Sequence, residues 1–415
     1  MKYAIVTFGC RVNQADSLSF EEELLRSGAA AAAPEEADLV VVNTCSVTAA
    51  ADQGARQAIR RIARSNPDAK IVVTGCYATR EPGQVAALPH VVRVVPNDAK
   101  SRLVDEWLAT AERYADGEGS CGAQIEPGVA GRTAFTLCVQ TGCAEQCSYC
   151  IIPSTRGQPR SVPPADILMQ AERITAAGFK EIAVTGVHLG SYGRDLSPRS
   201  SLFELLLALS RLEADVLFRV SSLEPMDCTR EIVDLMASSD RFAPHFHLPL
   251  QHASSRILAA MRRPYTVQYY ARLVGGIRER LPLASIGSDV IVGFPGETAD
   301  DFEQLATHLE DSPLTHVHVF PYSDRPGTEA SSMAGKVPGP ITRERGQRIR
   351  AISASLSARF RASQIGTVHS ALTLEDGSLV VTDNYLKVRV APGLPRNARV
   401  RVRITSDHHG ELLAG

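Results

Sequence analysis

The stretch CVQTGCAEQCSYCIIP, Cys138–Pro153, holds after its first residue three cysteines, Cys143, Cys147 and Cys150, separated by three and then two residues. A [4Fe–4S] cluster normally takes four cysteine ligands. Three thiolates in one loop hold three irons and leave the fourth with an open position. An open position is what separates a catalytic metal centre from a structural one. A zinc knuckle is the competing reading, but zinc sites pair CxxC motifs or join Cys to His at defined distances. No second CxxC pair follows here, and the next histidine downstream is His188. The run FTLCVQ before the loop reads as a strand, so the loop sits at a strand's carboxyl end.

Three more cysteines repeat that placement. Cys10, Cys45 and Cys76 each follow a short β-branched apolar run, YAIVTF, DLVVVN and KIVVTG. Such runs read as buried parallel strands, and each leads into a helix-like segment. In an open α/β sheet the loops at the carboxyl ends of the strands form the ligand crevice. Three thiols at equivalent positions therefore point to a second iron–sulfur site, against the alternative of three inert buried cysteines. Cys121, Cys138 and Cys228 read as ordinary cysteines.

At 415 residues the chain exceeds one ordinary core. Its 44% hydrophobic and 22% charged residues are globular values. The net charge of −2 excludes a wholesale basic nucleic-acid binder, so any RNA contact must come from local patches. Thiols that hold clusters must stay reduced, which places the chain in the cytoplasm rather than among secreted disulfide proteins. The start Met1-Lys2 running straight into YAIVTF, and the lack of any apolar stretch of about 20 residues, lead us to expect no leader and no membrane partner.

Alternating strands and helices over residues 1–113 predict a small doubly wound parallel domain. SLSFEEELLRSG reads as a helix ended by Gly28, with the alanines at Ala29–Ala33 extending its end. QGARQAIRRIARSNP reads as a second helix, with Arg56, Arg60 and Arg64 on one face, either solvated or against RNA phosphate. Residues 114–132 read as a Gly-rich linker. Over 133–363, repeated βα units with polar motifs at strand ends predict a TIM-like barrel, open because only about six strands can be counted. From 364 to 415, alternation around Gly turns predicts a small antiparallel β-barrel of OB type. It carries Lys387, Arg389, Arg399, Arg401 and Arg403 with Tyr385, and in RVRVRI the arginines share one strand face. These are candidate RNA contacts, with a solvated face as the alternative. Arg156 and Arg160, just past the cysteine loop, are candidates for carboxylate or phosphate recognition.

The segments GCRVN (Gly9–Asn13), NTCSVT (Asn43–Thr48), TGCY (Thr74–Tyr77), the CxxxCxxC loop, TGVHLGSYG (Thr185–Gly193) and HLPLQ (His247–Gln251) stand in that order. In this the chain resembles the methylthiotransferase family of radical S-adenosylmethionine (SAM) enzymes, over nearly its whole length. GCRVNQADS looks most like the branch that modifies N6-threonylcarbamoyladenosine, at position 37 of tRNA. The isopentenyladenosine branch and the branch acting on a ribosomal-protein aspartate are the alternatives.

The resemblance implies two [4Fe–4S] clusters, one on Cys143, Cys147 and Cys150, the other on Cys10, Cys45 and Cys76. It implies two SAM molecules per turnover and a methylthio group placed on C2 of the adenine ring. It implies tRNA, a low-potential electron donor of flavodoxin or ferredoxin type and a sulfur donor as partners. The terminal barrel would be the family's TRAM domain, and the chain is expected to be a monomer. Candidate SAM contacts are Gly186, Gly190 and Gly193 after the strand EIAVTG, Ser222 and Glu224 in SSLEP, Gln251 in HLPLQ, and Gly293 and Gly296 in IVGFPGE. The pairs His245/His247 and His316/His318 read as hydrogen-bonded strand histidines rather than metal ligands. A non-catalytic iron–sulfur RNA-binding protein is the rival from another class, but the open iron position has no purpose there.

Overall fold

The computed structural model describes residues 1–110, 127, 133–374 and 376–414. The expected linker, Pro127 excepted, and Cys121 lie outside the described residues. The chain divides into two compact units. The first contains the N-terminal sheet with Thr141–Arg160 and Ser323–Thr328; the second contains Ser161–Tyr322 and the chain from Glu329 onward.

The N-terminal sheet is parallel. Its strands are β1 (Lys2–Thr7), β2 (Ala30–Ala31), β3 (Leu39–Thr44), β4 (Lys70–Gly75) and β5 (Val91–Val95), in the order β2-β1-β3-β4-β5. Every residue of β3 is buried, because helices cover both faces. One face packs Val40, Val42, Ile59, Ile62 and Val73 together; the other packs Tyr3, Phe20, Leu24, Val41 and Val72. The alanine run behaves differently from expectation. The first helix, Arg11–Arg26, is capped at Ser27, Gly28 takes φ +82°, and Ala30–Ala31 pair with β1 as an edge strand. Gly28's left-handed backbone ends the helix, and the free edge of β1 then recruits the alanines.

The expected open barrel is present as six parallel strands: β6 (Ala134–Thr141), β8 (Glu181–Gly186), β9 (Leu217–Val220), β10 (His245–His247), β11 (Ser285–Val292) and β12 (His316–Pro321). They hydrogen-bond in two groups, β6-β8-β9 and β10-β11-β12, with the short β7 (Arg160–Ser161) outside β6. Between the groups the bridge Phe218–Phe242 and the bond Leu223 N–H to His247 O carry the sheet across. Helices Pro164–Ala176, Leu202–Ser210, Arg230–Ser238, Val267–Arg280 and Ala299–Asp311 each connect one parallel strand to the next. A 26-residue helix, Gly339–Gln364, closes the repeat.

The terminal module is a closed barrel of β13 (Val368–Leu374), β14 (Leu379–Thr382), β15 (Lys387–Arg389), β16 (Arg399–His408) and β17 (Glu411–Ala414), in the order β13-β14-β15-β17-β16. Its pairings are antiparallel except β15 with β17. Ala371, Val380, Val388, Val402, Ile404 and Leu412 fill it. Within the second unit it packs on β8 and β9 around a buried ion pair of those strands, whose Arg219 Nη1 donates to Asp383 O at 3.4 Å. Arg219 Nε donates to Glu181 at 2.8 Å, and the Arg219 guanidinium lies 4.4 Å from the centre of the Tyr385 ring. No described helix is long and apolar enough to cross a membrane.

Candidate functional site

The first unit holds all six cysteines assigned to clusters. Strands β1, β3 and β4 are neighbours in register, so their carboxyl ends deliver Cys10, Cys45 and Cys76 side by side. Cys10 is the N-cap of helix Arg11–Arg26, and Cys76 opens helix Cys76–Arg80. Helix N-termini favour negative ligands such as thiolates. Two glycines make the approach possible. Gly9 has φ +93°, and a Cβ there would stand 2.5 Å from Cys45 Cβ; Gly75 has φ +100°, and its Cβ would stand 2.2 Å from Thr44 O. Cys45 is buried, and burial, with Cys10 and Cys76 adding to it, pushes its thiol up to about 11. The three cysteines thus stand side by side at the carboxyl edge of the sheet. A cation that takes up their charge is what such a trio is built to meet, and the group fits there.

Beneath the trio lies a network of buried polar side chains. Asn13 Nδ2 donates to Phe8 O at 2.8 Å and Thr44 O at 2.9 Å, and Asn43 Nδ2 donates to Asn13 O at 2.8 Å. Lys100 Nζ donates to Asp16 Oδ2 at 2.6 Å and Asn43 Oδ1 at 3.0 Å. Burial lowers the Lys100 pKa against the pull of Asp16. Asn97 Nδ2 reaches Cys76 Sγ at 3.6 Å and Thr155 O at 2.8 Å. None of these supports stood out in the sequence, since lone Asn and Lys residues carry no spacing signal. Asn13, three residues after Cys10, was the nearest to one.

Arg156 belongs to this network: of the two partners expected for it, carboxylate or RNA phosphate, the structure shows the carboxylate of Asp16 and buries the side chain away from phosphate. It is 6% exposed; Nη1 donates to Thr141 Oγ1 at 3.1 Å and Nη2 to Asn13 Oδ1 at 2.5 Å and Asp16 Oδ2 at 3.2 Å. Burial opposes its charge, yet Asp16 and the sulfurs of Cys76 and Cys10 hold its pKa above the ordinary arginine value. A guanidinium so enclosed cannot reach a phosphate in solvent. Arg160, by contrast, is exposed.

The CxxxCxxC loop closes on itself. Cys143 N–H donates to Gly157 O at 3.0 Å and Cys150 N–H to Cys147 O at 3.1 Å, with the short helix Ile152–Arg156 as a floor. Gly142 has φ +77°, and a Cβ there would meet Gln158 O at 2.0 Å. Cys143, Cys147 and Cys150 are each half-buried. Cys228 is buried, and burial, then Asp227, pushes its thiol up to about 12, as suits an inert cysteine.

In the second unit, a Cβ on Gly190 would lie 1.9 Å from Asp227 Cγ, and one on Gly193, at φ +81°, 2.3 Å from Ser200 O. Both glycines are therefore required by the protein's own packing. Gly186 crowds Leu189 and Gln140; Gly293, at φ +79°, crowds Thr342; Gly296 receives the backbone of Gly335. Glu224 is ion-paired with Arg263. Gln251 holds φ +65°, rare for a side-chain-bearing residue, with its N–H on Asp289 O at 2.8 Å. Backbone strain of this kind is stored where surrounding structure enforces it, often at functional sites.

Ser222 Oγ lies 2.9 Å from His247 Nδ1, whose Nε2 lies 3.1 Å from Asp289 Oδ1; His318 Nδ1 lies 3.3 Å from the same oxygen. His247 and His318 thus share one carboxylate, Asp289, the partner that sequence reading missed, and the ligand atoms of these three residues lie within 4.8 Å of one another. Burial would raise Asp289, but bonds from His247 and His318 bring its pKa down to about 2. The polar face of helix Ala49–Ser65 divides too. Arg56 donates to Tyr77 OH at 3.1 Å, whereas Arg60 and Arg64 are exposed.

On β16 the three arginines do share a face, but two are engaged. Arg399 Nη1 pairs with Asp215 Oδ1 at 2.7 Å, and Arg403 Nη1 donates to Gly366 O at 2.7 Å. Arg389 is paired with Glu411, while Arg401 and Lys387 are exposed.

Residues 2–96 match the family model described as Uncharacterized protein family UPF0004, and residues 137–309 match that of the Radical SAM superfamily. The chain is 38% identical to the threonylcarbamoyladenosine tRNA methylthiotransferase MtaB of Aquifex aeolicus, over 94% of this chain and 96% of that one. It is 34% identical to MtaB of Bacillus subtilis, over 93% and 89%. It is 33% identical to the tRNA-2-methylthio-N(6)-dimethylallyladenosine synthase of Carboxydothermus hydrogenoformans, over 89% and 87%. Among solved structures, the radical SAM methyltransferase TsrM of Kitasatospora setae shares the fold, with TM-score 0.57 and 17% identity over 80% of this chain and 77% of that one. Two cysteine triads on two matched domains, and full-length relatives of this kind, lead to one conclusion: the chain belongs to the radical-SAM methylthiotransferase family.

Proposed function

We propose that this chain adds a methylthio group to C2 of N6-threonylcarbamoyladenosine at position 37 of tRNA. The full-length likeness to methylthiotransferases named for that nucleoside carries the reading, at 38% identity. The cofactors are SAM and [4Fe–4S] clusters. Bound at the CxxxCxxC loop, the cluster supplies an electron to the SAM sulfonium; bound at the N-terminal triad, the second supplies a site for sulfur.

The chain's own residues divide the remaining work. Cys143, Cys147 and Cys150 hold three irons and keep the fourth open to SAM. Cys10, Cys45 and Cys76 in the N-terminal domain, residues 1–113, would hold the second cluster, the one that takes up sulfur, on the glycine-shaped loops of β1, β3 and β4. In the barrel domain, residues 133–363, the backbone at Gly186 and Gly293 and the side chains of Ser222, Glu224 and Gln251 orient SAM. The terminal domain, residues 364–415, holds tRNA through Lys387 and Arg401, with Arg160 as a further phosphate contact. A low-potential flavodoxin- or ferredoxin-type donor and a sulfur donor complete the reaction. Thiols in this number call for the reduced cytoplasm.

The test is nucleoside mass spectrometry. Reconstituted protein is given SAM, dithionite and sulfide with tRNA bearing threonylcarbamoyladenosine, and in parallel with tRNA bearing isopentenyladenosine. The methylthio product should appear on the first. Product only on the second, or only on a ribosomal-protein aspartate, would overturn the reading.

A further inference from the structure

Arg156 is placed where no bulk-solvent role exists for it. It is six residues beyond Cys150 in sequence. In space it is enclosed among the groups that support the other triad, Asn13 and Asp16 of the helix that Cys10 caps. Asn97 Nδ2 ties the backbone next to it, Thr155 O at 2.8 Å, to Cys76 Sγ at 3.6 Å, and the charges of Cys76 and Cys10 favour its charged form. Four of its five N–H groups belong to the two terminal nitrogens, which donate to Thr141, Asn13 and Asp16. The fifth, on Nε, is buried and has no hydrogen-bond partner among the described residues. A buried N–H left unmatched costs about 1–3 kcal/mol, more on a charged group. The fold keeps it nonetheless, beside two cysteines whose sulfurs, and any inorganic sulfide between them, are acceptors. Asn97 Nδ2 already points at Cys76 Sγ from 3.6 Å.

We propose that Arg156 donates its Nε–H to a sulfur of the cluster held by Cys10, Cys45 and Cys76, and that its charge raises that cluster's reduction potential. The proposal rests on the cysteine assignment given above. Hydrogen bonds to the sulfurs and local net charge are among the terms that set an iron–sulfur potential. A one-electron reduction adds one negative charge to the cluster. A fixed cation at that distance, shielded from water, favours the reduced form. Asp16 and Lys100 accompany Arg156 at 3.2 Å and, through Asp16, at 2.6 Å. Three charged groups of net +1 therefore stand beside the site, and Arg156 is the one with a buried N–H left to give. The sequence adjacency of Arg156 to the CxxxCxxC loop also means that one segment, Thr141–Arg160, carries the ligands of one triad and the electrostatic partner of the other. Arg156 is a positioning and tuning residue in this account, and no bond to iron is ascribed to it.

The experiment isolates the N-terminal cluster in full-length protein in which Cys143, Cys147 and Cys150 are replaced by Ala. After anaerobic reconstitution, iron is counted and the one-electron couple is followed by EPR-monitored redox titration. Arg156→Gln in that background should retain about four irons. Its midpoint should fall, shifting the reduction equilibrium by about tenfold, which is about 59 mV for a one-electron couple. Arg156→Lys keeps the charge but loses the Nε–H donor, and should fall by less. If Arg156→Gln does not fold, Arg156→Lys carries the test alone. Four irons with an unmoved midpoint would overturn the proposal and leave the cysteine assignment standing. Absence of iron from the triple Ala parent itself would overturn the assignment, and the proposal with it.

Discussion

The rings of His245 and His316 lie stacked across β10–β12, with centroids 6.5 Å apart and planes 7° from parallel. The intervening strand makes room with Gly287, where a Cβ would stand 2.3 Å from His316 Nε2. Tyr385 of the terminal barrel tilts against His245 from 5.1 Å, so this column of rings joins the module to the strands.

The column makes stability pH-dependent. Burial, then His318 and His247, lower the His316 pKa from 6.5 to about 4, against a smaller opposing effect of Asp289. Its folded value lies below its unfolded one, so the neutral ring stabilises the fold above about pH 6.5. That contribution is lost as pH falls from 6.5 toward 4. Wild type should lose about 1–3 kcal/mol more than His316→Phe across that window. Urea unfolding of cluster-free protein over a pH series checks it; parallel curves would show that the ring protonates freely in the fold.

Gly9→Ala should cost more than an ordinary surface change. Its φ of +93° is strained for any Cβ, and the new methyl would overlap Cys45 Cβ at 2.5 Å. Both clashing groups are on or next to backbone, so neither can step aside. We expect about 1–3 kcal/mol of destabilisation and loss of the N-terminal cluster alone. Iron should fall from about eight per chain to about four, by the formula of two four-iron clusters. Full iron in the variant would show that the two loops need not approach so closely.

The two triads should separate functionally. Cys147→Ala removes a ligand of the SAM-facing cluster and should abolish 5′-deoxyadenosine formation. Cys45→Ala should leave that cleavage and stop methylthiolation. Methylthio product at the normal rate from Cys45→Ala would contradict the role of the N-terminal sheet.

On the terminal barrel the prediction is uneven across one face. Arg401 is exposed, and Arg401→Gln should weaken tRNA binding and reduce the slope of log affinity against log salt by about one. Arg399 is held by Asp215 and Arg403 by Gly366 O, so Arg399→Gln and Arg403→Gln should change the slope less. Equal effects for all three in a filter-binding salt series would mean that tRNA displaces those partners.

The local sequence determined the elements and their chemistry. Short β-branched runs ending in Gly–Cys or Asn–Thr–Cys specify buried strands with a thiol at the carboxyl end, because period and composition are properties of a few consecutive residues. The CxxxCxxC spacing likewise fixes three ligands on one loop, and RVRVRI fixes three arginines on one strand face. Tertiary structure alone decided which of those charges face water. Arg156 and Arg160 are four residues apart and looked alike in sequence, yet one is enclosed by Asn13 and Asp16 and the other is exposed. Arg399 and Arg401 divide in the same way, through an aspartate 184 residues from Arg399. Asp289, Lys100 and Asn97 were illegible for the same reason: each acts through partners far along the chain. Burial and pairing are set by which strands become neighbours, and that depends on the packing of whole layers rather than on any window of sequence.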